Sequence, residues 1–361
     1  MASYTTGKEL RKSPKRLIAV GLVAVLALVS AFGVKSVMDG LTDIERETSS
    51  DTESELSIPT LSNSSTVEDK IIYTYDVRFH EDIQKGPLAL VNRTHATKDL
   101  EEGLVSVFEH KNSHYHVKDQ EVLLTEECIK ALNAMLKAFY EATGREDLQV
   151  ISGYRTKAYQ QSLYDNAAQD DAEDAASRVA KAGHSEHETG QAVDFNIFRD
   201  GITLEFDGTE EYAWLAEHCT EYGFILRYPE HKVAVTEFSY EPWHFRYVGV
   251  PHAQYMQEEN LVLDEYIPML SAYTYSGTHL EINDKNGFLY EVFFVPKNEE
   301  SNTTEIPIPA ELEYTVSGNN IDGYIVTVAT GKKQQASAQQ IPADPKPESS
   351  AADESADLPT A

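Results

Sequence analysis

The sequence predicts an α+β fold: a small mixed or antiparallel sheet flanked by helices, with a small C-terminal β unit attached. Three observations lead there. Strand-like and helical runs alternate loosely between about 67 and 260. Residues with chemical potential fall at the ends of the strand-like runs. From about 270 the helical periodicity stops, and Asn286-Gly287 sits between two apolar segments as a hairpin turn signal.

Taken in order, the chain begins with Lys8, Arg11, Lys12, Lys15 and Arg16, followed by an apolar run over 17–34. As a helix this run spans about 27 Å, roughly one hydrocarbon core. The basic flank stays on the cytoplasmic side, which sends the rest of the chain outside as a single-pass membrane protein. A signal peptide cleaved after Val29-Ser30-Ala31 is the alternative. Residues 35–66 hold Ser, Thr, Glu and Asp with few large apolar side chains, and read as a flexible linker. The formal net charge of -30 and pI near 4.7 exclude nucleic acid as a partner, because phosphate binding needs clustered Lys and Arg.

In the central domain (67–260), 88–92 reads as a short buried strand after Gly86-Pro87. Thr125 caps a helix with Glu126 and Glu127 in its first turn and an apolar stripe of Ile129, Leu132, Leu136, Phe139 and Tyr140. Residues 148–152 form a strand leading into Gly153-Tyr154-Arg155. A helix follows over about 157–167 and resumes through an acidic stretch toward Lys181, as a lid or a solvated helix. A third helix lies near 210–222, closed by Gly223 as a left-handed cap. The C-terminal unit (261–330) holds strands at 280–282, 288–295, 312–316 and 324–328, and the tail after 330 is predicted disordered. The two cysteines, Cys128 and Cys219, fall in helices; a disulfide and two buried thiols both fit.

The chemistry concentrates in 182–195, Ala-Gly-His-Ser-Glu-His-Glu-Thr-Gly-Gln-Ala-Val-Asp-Phe. Its end alternates like a strand, so Asp194 shares a face with the small residues Gly190 and Ala192. His187 and Asp194 form half of a tetrahedral metal site. Glu241-Pro242-Trp243-His244 offers the rest: a third ligand in His244, on a strand over 243–248, and a free carboxylate in Glu241 before a kink. Three protein ligands leave one position open for water, and a nearby carboxylate can take its proton. Trp243 is expected to pack in the core behind His244. His110, His114 and His116 read as a solvated loop.

Ser152-Gly153-Tyr154-Arg155, Ser185-x-His187-x-x-Gly190-x-Ala192-x-Asp194 and Glu241-x-Trp243-His244 together resemble the three motifs of the VanY-type D-alanyl-D-alanine carboxypeptidases. These are zinc peptidases related to the VanX dipeptidases and the LdcB-type L,D-carboxypeptidases. The resemblance covers about 70–255. It implies Zn2+ as cofactor, held by His187, Asp194 and His244, with Glu241 as general base and Arg155 as oxyanion or substrate-carboxylate cation. It also implies Ser185, Gln160 and Tyr154 as substrate-binding residues, with Gln161 replacing Gln160 if the helix register differs by one. His184, the rival ligand, falls outside the family spacing. The expected reaction is hydrolytic release of terminal D-alanine from peptidoglycan stem peptides. L,D-cleavage of tetrapeptide stems is the alternative, and a non-catalytic wall-binding protein a remote one.

Overall fold

The structure is a computed structural model that describes residues 71–98, 102–170 and 172–333. The expected anchor (17–34), linker (35–66) and tail (from 334) lie outside the described residues. Among the described residues no helix is long and apolar enough to cross a membrane.

Strand β1 (Tyr73–Phe79) opens the described chain, and a 3-10 turn, His80–Gln84, follows it. The small pair β2 (Leu104–Ser106) and β4 (Leu123–Thr125) brackets a one-turn helix α1 (Val107–His110) and the short β3 (His116–Val117). Helix α2 (Glu126–Thr143) buries the expected stripe, including Ile129, Leu132, Leu136 and Phe139. Each such side chain contributes about 1.5–3 kcal/mol through burial. Gly144 ends the helix at φ +70°, a conformation in which a side chain is strained. Thr125 stands at the N-cap, but its hydroxyl makes no capping bond. Its N–H instead reaches the Gly190 carbonyl at 2.9 Å, tying α2 to the histidine-rich stretch.

Next come β5 (Leu148–Ser152), α3 (Lys157–Asp170), α4 (Ala172–Arg178), β6 (Ala192–Arg199) and β7 (Ile202–Glu205). Helix α5 (Ala213–His218), flanked by 3-10 turns, β8 (Phe224–Leu226), α6 (Val233–Thr236) and β9 (His244–Tyr247) complete a mixed sheet of order β3-β5-β6-β9-β8, with β7 on β6. All its pairs are antiparallel except β3 with β5. Gly223 closes the α5 region at φ +81°. Helices α7 (Val250–Glu258) and α8 (Leu263–Leu270) lead into β10 (Leu280–Asn283), β11 (Phe288–Pro296), β12 (Thr303–Pro309), β13 (Tyr314–Gly318) and β14 (Gly323–Lys333). The last group forms an antiparallel sheet β10-β11-β14-β13, while β12 pairs with β1. The α+β class is therefore the one observed.

One expected strand is absent. Residues 88–91 are buried and Asn92 partly so, but they pair with no strand, because side chains take up several of their backbone groups. Arg246 Nη2 donates to the Pro87 and Ala89 carbonyls at 3.0 and 3.1 Å, and Leu88 N–H donates to Ser317 Oγ at 2.9 Å. Leu88 and Leu90 instead join a core with Ile225, Val248, Leu263 and Ile325, which runs from the mixed sheet into the C-terminal strands. Cys128 and Cys219 are two buried free thiols.

Candidate metal centre

The central feature is a strand register. β6 and β9 run antiparallel with Asp194 directly opposite His244, so their side chains project from one face as neighbours. His187 arrives from a 3-10 turn, Glu186–Thr189, that ends at Gly190 with φ +66°. Among the described residues, His187, Asp194 and His244 form the one group whose donor atoms all lie within 4.8 Å of one another, and all three are buried.

The hydrogen bonds decide which atoms face inward. His187 Nδ1 lies 2.6 Å from the Gly153 carbonyl. A carbonyl only accepts, so Nδ1 carries the proton and Nε2 presents a lone pair. That lone pair faces Asp194 Oδ2 at 3.1 Å. His244 repeats the pattern with its nitrogens exchanged. Nε2 donates to Glu186 Oε2 at 3.3 Å, and Nδ1 faces Asp194 Oδ1 at 2.9 Å. Groups able to act as donors to a metal thus converge from three directions, with the Arg155 guanidinium 2.8 Å from Asp194 Oδ2 at their edge. Burial, with Arg155 alongside, pushes His187 down to about 4, whereas His244, which burial alone would lower, is lifted to about 9 by its bonds to Asp194 and Glu186; a proton on His244 serves the metal-free cluster, and a bound metal would take that proton's place. Two imidazole nitrogens and a carboxylate oxygen are a donor set suited to zinc.

Glycine is required at 153 for a contact reason: a Cβ there would collide with the Leu123 carbonyl oxygen. Arg155 is pinned by Asp194 Oδ2 at 2.8 Å, Ser152 Oγ at 3.0 Å and Gln160 Oε1 at 3.4 Å. Glu241 is buried on the same cleft. Desolvation raises its pKa to about 7, and the Asp194 and Glu186 charges add to the effect against His244 and Arg155.

The cleft has a volume of about 530 Å³ and gathers Arg155, Gln160, Ser185 and Glu241 around the three donors. Gln160 is engaged at both ends of its amide, since Nε2 donates to the Ala180 carbonyl at 2.8 Å. Of the predicted residues, Tyr154 does not line the cleft; its backbone N–H is held by the Leu123 carbonyl at 2.7 Å. The expectation for Trp243 is corrected: it is 36% exposed and forms part of the cleft wall, because Pro242 turns the chain before β9 begins. His184 points away, with Nδ1 on the Asn92 carbonyl at 2.8 Å. His114 stacks on Tyr140 and His116 meets Phe198 edge-on, so these two pack against separate aromatic rings.

The end of the acidic insertion, Arg178, Val179 and Ala180, forms part of the wall of this cleft. Arg93 Nη2 donates to the Ala176 carbonyl and, at 2.7 Å, to the Glu237 carbonyl, while its guanidinium lies 5.1 Å from the Phe238 ring centre. Ser239 N–H also bonds the Ser177 carbonyl at 2.9 Å.

Residues absent from the motif reading lie directly behind the donors. Glu186 is fully buried; burial alone would raise its pKa, but Arg227 and Arg246 hold it well below the usual carboxylate range. Tyr228 stacks on His244 with ring centres 5.0 Å apart. The available signal for Glu186 was its position, beside His187 in a stretch already marked as chemical.

A strand-and-helix frame carrying three converging donors and a buried carboxylate defines a hydrolase. Residues 121–250 match the VanY family, described as D-alanyl-D-alanine carboxypeptidase. A D-alanyl-D-alanine carboxypeptidase of Enterococcus faecium is 34% identical over 256 residues, covering 70% of this chain and 78% of that protein. The bifunctional D-Ala-D-Ala dipeptidase and D-Ala-D-Ala carboxypeptidase VanXYC of Enterococcus gallinarum is 34% identical over 50% of this chain and 92% of its own. The crystal structure of the vancomycin resistance D,D-dipeptidase VanXYg, in complex with a D-Ala-D-Ala phosphinate analog, aligns with a TM-score of 0.63 at 30% identity. That alignment covers 71% of this chain and 99% of the other. The chain belongs to the VanY family of carboxypeptidases.

Proposed function

We propose that the protein is a zinc-dependent D-alanyl-D-alanine carboxypeptidase that removes the terminal D-alanine from peptidoglycan stem peptides. The observation that carries this reading is the convergence of His187 Nε2, His244 Nδ1 and the Asp194 carboxylate beside the buried Glu241. His187, Asp194 and His244 would hold zinc, which would supply Lewis acidity to polarise a carbonyl and acidify water. Glu241, buried on the same cleft, takes the water's proton on its carboxylate and returns it to the departing amine. Arg155, fixed by three partners, presents a cation to the oxygen that gains charge in the transition state. Ser185 and Gln160 line the cleft where the peptide lies. The apolar run over 17–34 anchors the chain, with the catalytic part outside the cell membrane.

The test is mass spectrometry of products. The full chain, loaded with zinc, is incubated separately with a stem pentapeptide and a stem tetrapeptide, with and without chelator. The expected result is loss of one D-alanine from the pentapeptide, blocked by chelator and restored by zinc. Cleavage of the tetrapeptide alone replaces the reading with L,D-carboxypeptidase activity. No cleavage of either overturns it. For the anchor, recovery of the chain in the soluble fraction of disrupted cells is the contrary result.

A further inference from the structure

The donors rest on a buried charge array that the reaction itself does not use. Glu186 Oε2 accepts from His244 Nε2 at 3.3 Å. Its other oxygen, Oε1, accepts from Arg227 Nε at 2.7 Å and from Arg246 Nη1 at 3.1 Å. Both guanidiniums are at most 1% exposed. Two buried cations and one carboxylate leave an excess positive charge beside the proposed cation site. Asp264, in the first turn of α8, cancels it: its Oδ2 lies 2.7 Å from Arg227 Nη1, an ion pair rather than an aligned hydrogen bond. Asn92 Nδ2 holds the other oxygen of Asp264 at 2.8 Å. Arg227 also reaches His244 by a second route. It lies 4.8 Å over the Tyr228 ring, and that ring stacks on His244. Asp264 falls outside residues 121–250, the part that matches the family.

We propose that Asp264 is a positioning residue of the metal centre: through Arg227 and Glu186 it fixes His244 with Nδ1 turned toward Asp194 and His187. The inference rests on the metal-site reading above. Its physical content is twofold. Glu186 must stay free to accept the His244 Nε2–H, because that bond selects the nitrogen left to bind metal. With Asp264 neutralised, Arg227 concentrates on Glu186 and draws it from His244. The uncancelled positive charge also opposes a second cation nearby.

The experiment measures Zn2+ affinity of the full chain by competition with a chelating dye, and the visible absorption spectrum of the Co2+-loaded chain. Asp264→Asn is expected to weaken zinc binding by about 10- to 100-fold, the range typical for residues behind metal ligands, and to alter the cobalt spectrum. Asp264→Glu should recover part of the affinity. Glu186→Gln should weaken binding similarly, and the double variant should lose less than the two single effects multiplied together, since both act in part through His244. If Asp264→Asn does not fold, Arg227→Lys carries the same test, because it keeps the charge and loses the Nε–H. Unchanged zinc affinity and cobalt spectrum in Asp264→Asn, or fully additive effects in the double variant, overturn this inference alone. A wild-type chain that takes up no zinc overturns the metal-site reading together with it.

Discussion

Glu241 is one of sixty acidic residues in the chain. Its spacing before His244 singled it out, and burial in the cleft gives that choice a physical basis. Glu241→Ala is expected to keep its zinc and lose about 10²- to 10⁴-fold in hydrolysis, the usual size of a general-base contribution. Asp194→Ala should lose the metal itself; zinc content near wild type by elemental analysis would refute its assignment as a ligand. The raised pKa has a further consequence for the metal-stripped protein. A carboxyl lifted from 4.5 to about 7 on folding contributes stability that is complete below 4.5 and lost as pH rises through 7. Glu241→Gln, neutral throughout, should therefore match wild type near pH 4 and exceed it at pH 8. The gain should be on the order of 2–3 kcal/mol in urea unfolding, and equal stability at pH 8 would count against the shift. That His187, Asp194, His244, Glu241 and Arg155 gather at one cleft was legible because their identities and spacing are rare together. Glu186 was not, since its role depends on Arg227 and Arg246, brought to it by the fold.

At the level of elements, β5, α2 and the Gly223 cap were readable because apolar periodicity and glycine placement are local signals. Residues 88–92 were misread because an apolar run signals burial without saying what meets the backbone; here it is Arg246 and Ser317. Trp243 was misread for the related reason that a large aromatic is core by default, while the turn at Pro242 leaves it on the cleft. Helix α4 yields an element-scale prediction. Arg93 joins it to the neighbouring Glu237–Phe238 segment. Arg93→Ala should loosen the cleft wall, raising KM for stem peptide several-fold with kcat within about twofold, as expected for lost uniform binding. Arg93→Lys should not restore it, because one ammonium cannot both bridge two carbonyls and lie flat on Phe238. A fall in kcat with KM unchanged would assign Arg93 a different role.

For the molecule as a whole, the question is whether the C-terminal strands can be removed. The core holding Leu88, Leu90, Ile225 and Val248 also contains Leu280, Ile282, Val292 and Ile325. Ending the chain after Glu259 would uncover the first four at about 1.5–3 kcal/mol each and leave β1 without its partner. That loss rivals the whole stability of a typical domain, about 5–15 kcal/mol. The truncated chain should therefore show no cooperative melt by circular dichroism. A melt at the wild-type temperature would mean that the catalytic part folds alone. This dependence was hidden in the sequence because pairing between β1 and β12 leaves no local pattern.

The β1–β12 pairing also bears on how the chain is made. Tyr324 reaches back to the Phe79 carbonyl, 245 residues earlier. At about 5–20 residues per second, synthesis leaves the first strand waiting roughly 10–50 s for that contact. Throughout that interval the backbone edge of β1 has no strand partner, and Tyr75, Val77 and Phe79, which stay exposed even in the finished fold, make it prone to pair with the wrong chain. Newly made protein should accordingly need a holding chaperone on its first strand, even though the catalytic motifs lie well downstream of it.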